Sequence, residues 1–221
     1  QTDVSQPAIY VTSVACWRGL LASVWQAGAE KGVEEASVLA TAGLSLGEYT
    51  ALHIAGAFSF EDGLELVVLR GRAMQDAAEA VPSGMVALIG ADEAQAVAVC
   101  DEARESDVLV CANFNAPGQV VISGSKSACE RAVTVAQAKG LKATPLAVAG
   151  AFHSPLMAPA AERLREALRS SRITAPRCPV FSNVTAQPHA PDAGLGVEDS
   201  IRARLVEQLT APVRWSASCA N

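Results

Sequence analysis

Rings and charges are scarce in this chain. Aromatic residues make up 5% of its 221 positions, charged residues 18%, and histidine occurs three times. The few aromatics, beside abundant alanine, favour closely packed helices. Acidic residues outnumber basic ones, 23 to 17, giving a net charge of −6, which argues against a nucleic-acid binder. No apolar run approaches the roughly 18 residues that a bilayer span requires, so no membrane partner is expected. The opening QTDVSQPAIYVTS lacks a basic n-region and an apolar h-region, so no signal peptide is visible. Six cysteines (Cys16, Cys100, Cys111, Cys129, Cys178, Cys219) stand singly, without C-x-x-C pairs or nearby histidines. That spacing gives no zinc site and predicts buried thiols in a reducing, cytoplasmic compartment.

What is present is a globular composition, half hydrophobic, with enough chain for one large domain or two small ones. Periodicity predicts helices over 7–29, 45–57 and 60–79 and a short buried strand over 38–42. The texture then changes. Strands over 85–89, 108–112, 120–123 and 142–147 alternate with helices over 91–103 and 127–138, around the turn signal NAPG. That is the β-α-β-β-α-β order of ferredoxin-like modules. A charged helix (157–170), a strand (180–183), a variable loop (186–196) and a helix (198–209) complete the chain. The expected division is a large α/β subdomain from residues 1–82 and 149–221, interrupted by a small one at 83–148.

Gly43, Leu44, Ser45, Leu46 and Gly47 read G-x-S-x-G between a strand and a helix. A serine on such a turn can project its hydroxyl from a strained backbone, and the Leu46 N–H at the helix start can donate to an oxyanion. The same stretch also reads as an ordinary helix start, with Ser45 and Glu48 forming an S-x-x-E capping box. A serine nucleophile needs a base. His53 sits within a helix and reads as a packed or capping residue. His189, in the loop QPHAPDAG, reads as exposed. His153 follows Gly150-Ala151-Phe152 where the small module hands the chain back, and is the best base available; a structural histidine at a domain junction is the other reading. Arg70 has apolar neighbours on its helix (Leu66, Val67, Ala73, Met74), so it must snorkel outward or meet an anion, ideally a carboxylate. Arg72 and Asp76 read as a solvated i,i+4 pair.

Five blocks carry a family resemblance: GLSLGEYTAL (43–52), LRGRAMQ (69–75), NFNAPGQVVISG (113–124), GAFHSPLM (150–157) and LVEQLTAPVRW (205–215). Together they resemble the malonyl-CoA:acyl carrier protein transacylases of fatty-acid synthesis and the related acyltransferases of polyketide synthases. The resemblance implies an α/β-hydrolase-like core with an inserted ferredoxin-like subdomain. It implies transfer of a malonyl group from malonyl-CoA through Ser45 to the phosphopantetheine thiol of acyl carrier protein, by ping-pong kinetics. His153 would be the base, Gln208 would hold it, and Arg70 would pair with the free malonyl carboxylate. Leu46, Met74, Asn113 and Asn115 fall on the substrate side. The Phe152-His153 pair resembles the malonyl-selecting form of its motif. No metal and no cofactor are implied beyond the coenzyme A thioester and the phosphopantetheine of the partner, and a monomer is expected. Leu44 stands where the family often has histidine. The family also has a strand and a G-Q-G-type loop ahead of the first helix, and a further C-terminal end, neither of which lies in these 221 residues.

From Lys126 to Arg177 nine basic residues face three acidic ones, a local charge of +6. Part of this segment can steer an acidic carrier protein; the alternative is a set of solvated helix faces. Two rival functions remain at this level. A serine thioesterase or esterase would need an acidic triad member and an uninterrupted core, and a non-catalytic carrier-docking domain would form no acyl-serine.

Overall fold

A computed structural model describes residues 1–26, 38–192 and 194–221. The stop expected for the first helix, AGAEKG at 27–32, lies outside them. Helix α1 (Thr2–Gln26) begins five residues before Pro7, the expected start. Tertiary contacts outweigh the proline there. The Thr2 N–H donates to Gln75 Oε1 at 3.0 Å, and the start of α1 rests on Gly71 of α3 (Phe60–Ala80). A Cβ at Gly71 would come 2.9 Å from the Thr2 carbonyl oxygen, so the bare backbone is what lets the helices approach. Ser59 caps α3 by accepting from the Asp62 N–H, and its inward stripe includes Leu66, Val67, Arg70, Ala73 and Met74.

The middle of the chain forms the expected module: β1 (Ser83–Ile89), α4 (Glu93–Arg104), β2 (Leu109–Ala116), β3 (Gln119–Ser125), α5 (Lys126–Ala138) and β4 (Lys142–Pro145). The antiparallel sheet has the order β2-β3-β1-β4. Asp92 caps α4 in a reciprocal box with Gln95. One face of the sheet packs Val86, Leu88, Leu109 and Ile122 against α4 and α5. The other buries Met85, Ala112 and Val121 with Phe152 beside them. That second face turns toward the residues singled out above.

A separate core gathers Tyr10, Tyr49, Leu52, Leu66, Val67 and Met74 with Met157, Leu164, Leu168, Ile201 and Leu205. It is built on α1, α2 (Gly47–Ile54) and α3 together with α6 (Ala158–Ser170) and α7 (Val197–Glu207); the short α8 (Trp215–Ala220) follows. The strands expected at 38–42 and 180–183 meet as one parallel bridge, Thr41 with Val180. The chain turns back at once through the bridge of Phe181 with Pro188, which limits the pairing. A second parallel bridge, Asn113 with Val213, ties the middle of β2 to the PVRW segment. Mixed α/β architecture with one small antiparallel sheet is therefore the observed fold class.

Several surface expectations are corrected. Asp76 pairs with Arg163 of α6, not with Arg72, and so links α3 to α6. Most of the basic segment is already paired: Arg131 with Asp107, Lys139 with Glu102, Arg165 with Glu162 and Arg169 with Glu166. Lys126 and Lys142 make no ion pair among the described residues. The thiols are not uniformly buried: Cys100, Cys111 and Cys129 are, Cys178 is half-buried, and Cys16 and Cys219 are exposed. His53 packs as expected, against Tyr10 and Phe60, with Nδ1 at 3.1 Å from the Phe58 carbonyl. Among the described residues no helix is long and apolar enough to cross a membrane.

Candidate active site

Ser45 sits on the turn ahead of α2 with φ of +51°, a left-handed conformation that costs a non-glycine residue on the order of 1–3 kcal/mol. Close packing enforces it. A Cβ on Gly43 would lie 2.1 Å from the Gly47 carbonyl carbon and oxygen, so this turn closes only with glycine at the first position. Nothing comes within 4 Å of a Cβ on Gly47, so the second glycine of the pattern is not demanded by space. Asn183 clamps the turn from outside: its Oδ1 accepts from the Ser45 N–H, and its Nδ2 donates to the Gly43 carbonyl at 2.8 Å.

The capping-box reading is overturned. Leu46 occupies the N-cap position with no side-chain cap, and Glu48 points inward, fully buried, instead of back to Ser45. The Ser45 hydroxyl is engaged elsewhere, 2.9 Å from His153 Nε2 and 2.9 Å from Arg70 Nη2. Among the described residues no acceptor meets the Leu46 N–H, which leaves it available at the start of α2.

His153 is buried and also left-handed, with φ of +56°. Its Nδ1 lies 2.7 Å from the Gln208 carbonyl oxygen. A carbonyl only accepts, so Nδ1 carries the proton and Nε2 presents its lone pair to the Ser45 O–H. Burial, then the nearby Arg70 charge, pushes the His153 pKa down from 6.5 to about 4, with the Gln208 hydrogen bond opposing. The imidazole is thus neutral and able to take a proton at physiological pH.

Arg70 does not snorkel, and among the described residues it hydrogen-bonds no anion. It is 1% exposed and held by neutral acceptors: Gln6 Oε1 at 2.6 Å, Ser45 Oγ at 2.9 Å and Gln208 Oε1 at 3.0 Å. Its Nε has no hydrogen-bond partner among the described residues, and the guanidinium lies over the Tyr49 ring at 5.5 Å. Burial lowers its pKa from the ordinary arginine value.

Ser45, Leu46, Arg70, Met74, Asn113, Asn115 and His153 line one cavity of about 360 Å³, walled on its apolar side by Leu44, Met85, Val121, Leu146 and Phe152. Gln208 lies directly behind it. Its backbone carbonyl, not its side chain, holds His153. The side chain spans the site instead, with Nε2 donating to the Ser45 carbonyl at 3.0 Å and to Glu48 Oε2 at 2.7 Å. His189 is not exposed: its side chain is buried and Nε2 lies 2.8 Å from Glu48 Oε1. Gln6, Asn183 and His189 lie outside every motif that points to this site, and Glu48, although inside the GLSLGEYTAL block, reads there only as a cap for Ser45. Gln6 leaves no trace either, since α1 carries other polar residues beside it, among them Asp3 and Ser5.

A nucleophile, a neutral base and a free backbone donor around one hydroxyl can form and break an acyl ester. Comparison with known proteins agrees. The chain is 42% identical over 219 residues to a malonyl CoA-acyl carrier protein transacylase of Salmonella typhimurium, covering 99% of this chain and 66% of that protein. It is 41% identical to the Bacillus subtilis protein of the same name, covering 97% of this chain and 63% of that one. The crystal structure of malonyl-CoA:acyl carrier protein transacylase from Xanthomonas oryzae superposes with a TM-score of 0.86 at 43% identity, over all of this chain and 65% of its own. A structure described as a type II polyketide synthase acyl-carrier protein in complex with its malonyl-transacylase superposes with a TM-score of 0.83 at 40% identity, over 97% of this chain and 65% of that one. The chain thus spans about two-thirds of the length of these relatives. The model of the acyl transferase domain matches residues 1–218, and with the elbow serine, its histidine and the inserted ferredoxin-like sheet in place, the chain belongs to the acyl transferase domain family.

Proposed function

We propose that this chain carries the site of a malonyl-CoA:acyl carrier protein transacylase. The observation that supports this reading best is the buried Arg70 guanidinium 2.9 Å from the Ser45 hydroxyl oxygen. A desolvated arginine that hydrogen-bonds only neutral groups, with the nearest buried carboxylate, Glu48, one residue removed behind Gln208, is a good receptor for a substrate carboxylate. A malonyl ester on Ser45 carries its carboxylate one methylene beyond the ester carbonyl, a reach that suits an arginine beside the nucleophile.

In the proposed reaction His153 Nε2 takes the Ser45 proton as Oγ attacks the thioester carbonyl of malonyl-CoA. The Leu46 N–H donates to the developing oxyanion. Collapse expels coenzyme A thiolate, which takes the proton from His153, and leaves malonyl-Ser45. The phosphopantetheine thiol of acyl carrier protein then gives its proton to His153 and attacks the ester; the Ser45 Oγ–acyl bond breaks, His153 returns the proton to Oγ, and malonyl-carrier departs. The reading calls for no cofactor beyond the thioester and the partner's phosphopantetheine. The setting is cytoplasmic fatty-acid synthesis, and a polyketide carrier would be served by the same chemistry. Residues 83–148 act as a small subdomain that closes the cavity with the Met85, Asn113 and Val121 face of its sheet.

Incubation of the protein with malonyl-CoA, followed by mass spectrometry, tests this. A malonyl adduct confined to Ser45, and discharged by added holo-carrier, is the expected result. Discharge to free malonate at the same rate without a thiol acceptor would point to a hydrolase, and no adduct at all would point to a docking domain.

A further inference from the structure

We propose that His189 is a positioning residue of this site, acting through Glu48 on Gln208; the inference rests on the reading of Ser45 and His153 as an acyl-transfer pair. His189 is far from the substrate cavity in sequence and in contact. Its backbone N–H donates to the Val180 carbonyl at 2.8 Å, which places the ring beneath the elbow. Both it and Glu48 have side chains with no solvent exposure.

Three donors from three segments converge on the Glu48 carboxylate. His189 Nε2 reaches Oε1 at 2.8 Å, while Gln208 Nε2 at 2.7 Å and the Asn183 N–H at 3.1 Å reach Oε2. A carboxylate only accepts, so it dictates which end of the Gln208 amide faces it. With the NH₂ group turned to Glu48 and the Ser45 carbonyl, the amide oxygen necessarily faces Arg70, at 3.0 Å. The reversed amide would set NH₂ against the guanidinium. Glu48 therefore orients the Gln208 side chain as the acceptor of Arg70, and the main-chain carbonyl of Gln208 holds His153.

His189 completes the hold on this Glu48 rotamer: Gln208 and Asn183 restrain Oε2, and among the described residues Oε1 meets no donor but His189. A cavity of about 240 Å³ adjoins His189 on its outer side, lined by Ser182, Ser200, Asp192 and Arg204. Without the imidazole, the carboxylate would lose a buried hydrogen bond and gain room to turn. The amide of Gln208 would then be free to reverse.

The length of the donor decides the test. Glutamine at 189 places its amide nitrogen as many bonds from Cα as His189 Nε2, while asparagine falls one bond short. The probe is a fluorophosphonate, which labels Ser45 with the help of His153 and needs no acyl-CoA. Expected is a drop in labelling rate of about 10- to 100-fold for His189→Leu and His189→Asn, the range that small misplacement of reacting groups produces. His189→Gln should stay near the wild-type rate, all measured where circular dichroism shows folded protein. A shift of the malonyl-to-acetyl ratio in the Leu and Asn variants, absent in the Gln variant, is the companion readout for Arg70. Equal rates for the Gln and Asn variants would overturn the proposal, and that contrast decides even if His189→Leu does not fold. Wild-type protein that fails to label would instead overturn the acyl-transfer reading, and this inference with it.

Discussion

Arg70 Nη2 lies 2.9 Å from Ser45 Oγ, so the arginine that would bind a substrate carboxylate donates to the nucleophile itself before substrate arrives. Binding and chemistry share one side chain. Substitution of Arg70 by Ala should therefore slow transfer of both malonyl and acetyl groups from coenzyme A, and malonyl transfer by about 100-fold more, since a charge-assisted hydrogen bond is worth about 1.5–3 kcal/mol. Arg70→Lys should recover little, because an ammonium cannot fork between the carboxylate and Gln208. Parallel kinetics with the two thioesters check this, and a proportional loss for both would remove the selectivity role.

The depressed pKa of His153 sets a pH dependence with a definite sign. As a base it must be neutral, so acylation of Ser45 should hold its rate below the ordinary histidine value of 6.5 and fall only near pH 4 to 5. Arg70→Ala removes one cause of the depression and should move that acid limb upward. Stopped-flow acylation across pH reads both.

Stability follows from the same shift. Between pH 6.5 and about 4 the unfolded chain binds a proton at this position that the folded protein does not. Stability therefore falls as the pH is lowered through that window, by about 3 kcal/mol in all from this one group. Urea midpoints measured against pH should show a shallower slope in His153→Phe than in the wild type.

The two glycines of the elbow should behave differently. Gly43→Ala forces a Cβ into the Gly47 backbone and should cost about 3 kcal/mol or more. Gly47→Ala meets open space at the first position of α2 and should raise stability by about 0.5–1 kcal/mol. Thermal melts of the two variants separate a steric requirement from a pattern match.

Charge reversal at Lys126 and Lys142, exposed and unpaired among the described residues, should weaken transfer to the acidic carrier while sparing acylation by malonyl-CoA. The loss should shrink at high salt. Equal losses in both half-reactions would show that these lysines do not meet the carrier.

Periodicity alone located α3 within one residue of its observed end, and the β-α-β-β-α-β order of the small module, because each element carries its own cap, period or turn signal. It misplaced the start of α1, where Gly71 and Gln75 of another helix outweigh Pro7. It lengthened the strands at 38–42 and 180–183, whose pairing is limited by a turn 140 residues from the elbow. Scarcity singles out His153, and the surrounding apolar stripe singles out Arg70, from the sequence alone.

By itself the sequence determined the kinds of group available: one serine between glycines, one histidine at a module boundary, one arginine without local partners. These are local properties, readable from neighbours along the chain. Only the tertiary structure decided what each group touches. Glu48 looked like the partner of Ser45 three residues away, yet it serves Gln208, Asn183 and His189, more than 130 residues on. A buried carboxylate takes whichever donors the packed core delivers, and a cap hydrogen bond in water cannot compete with three donors screened from solvent.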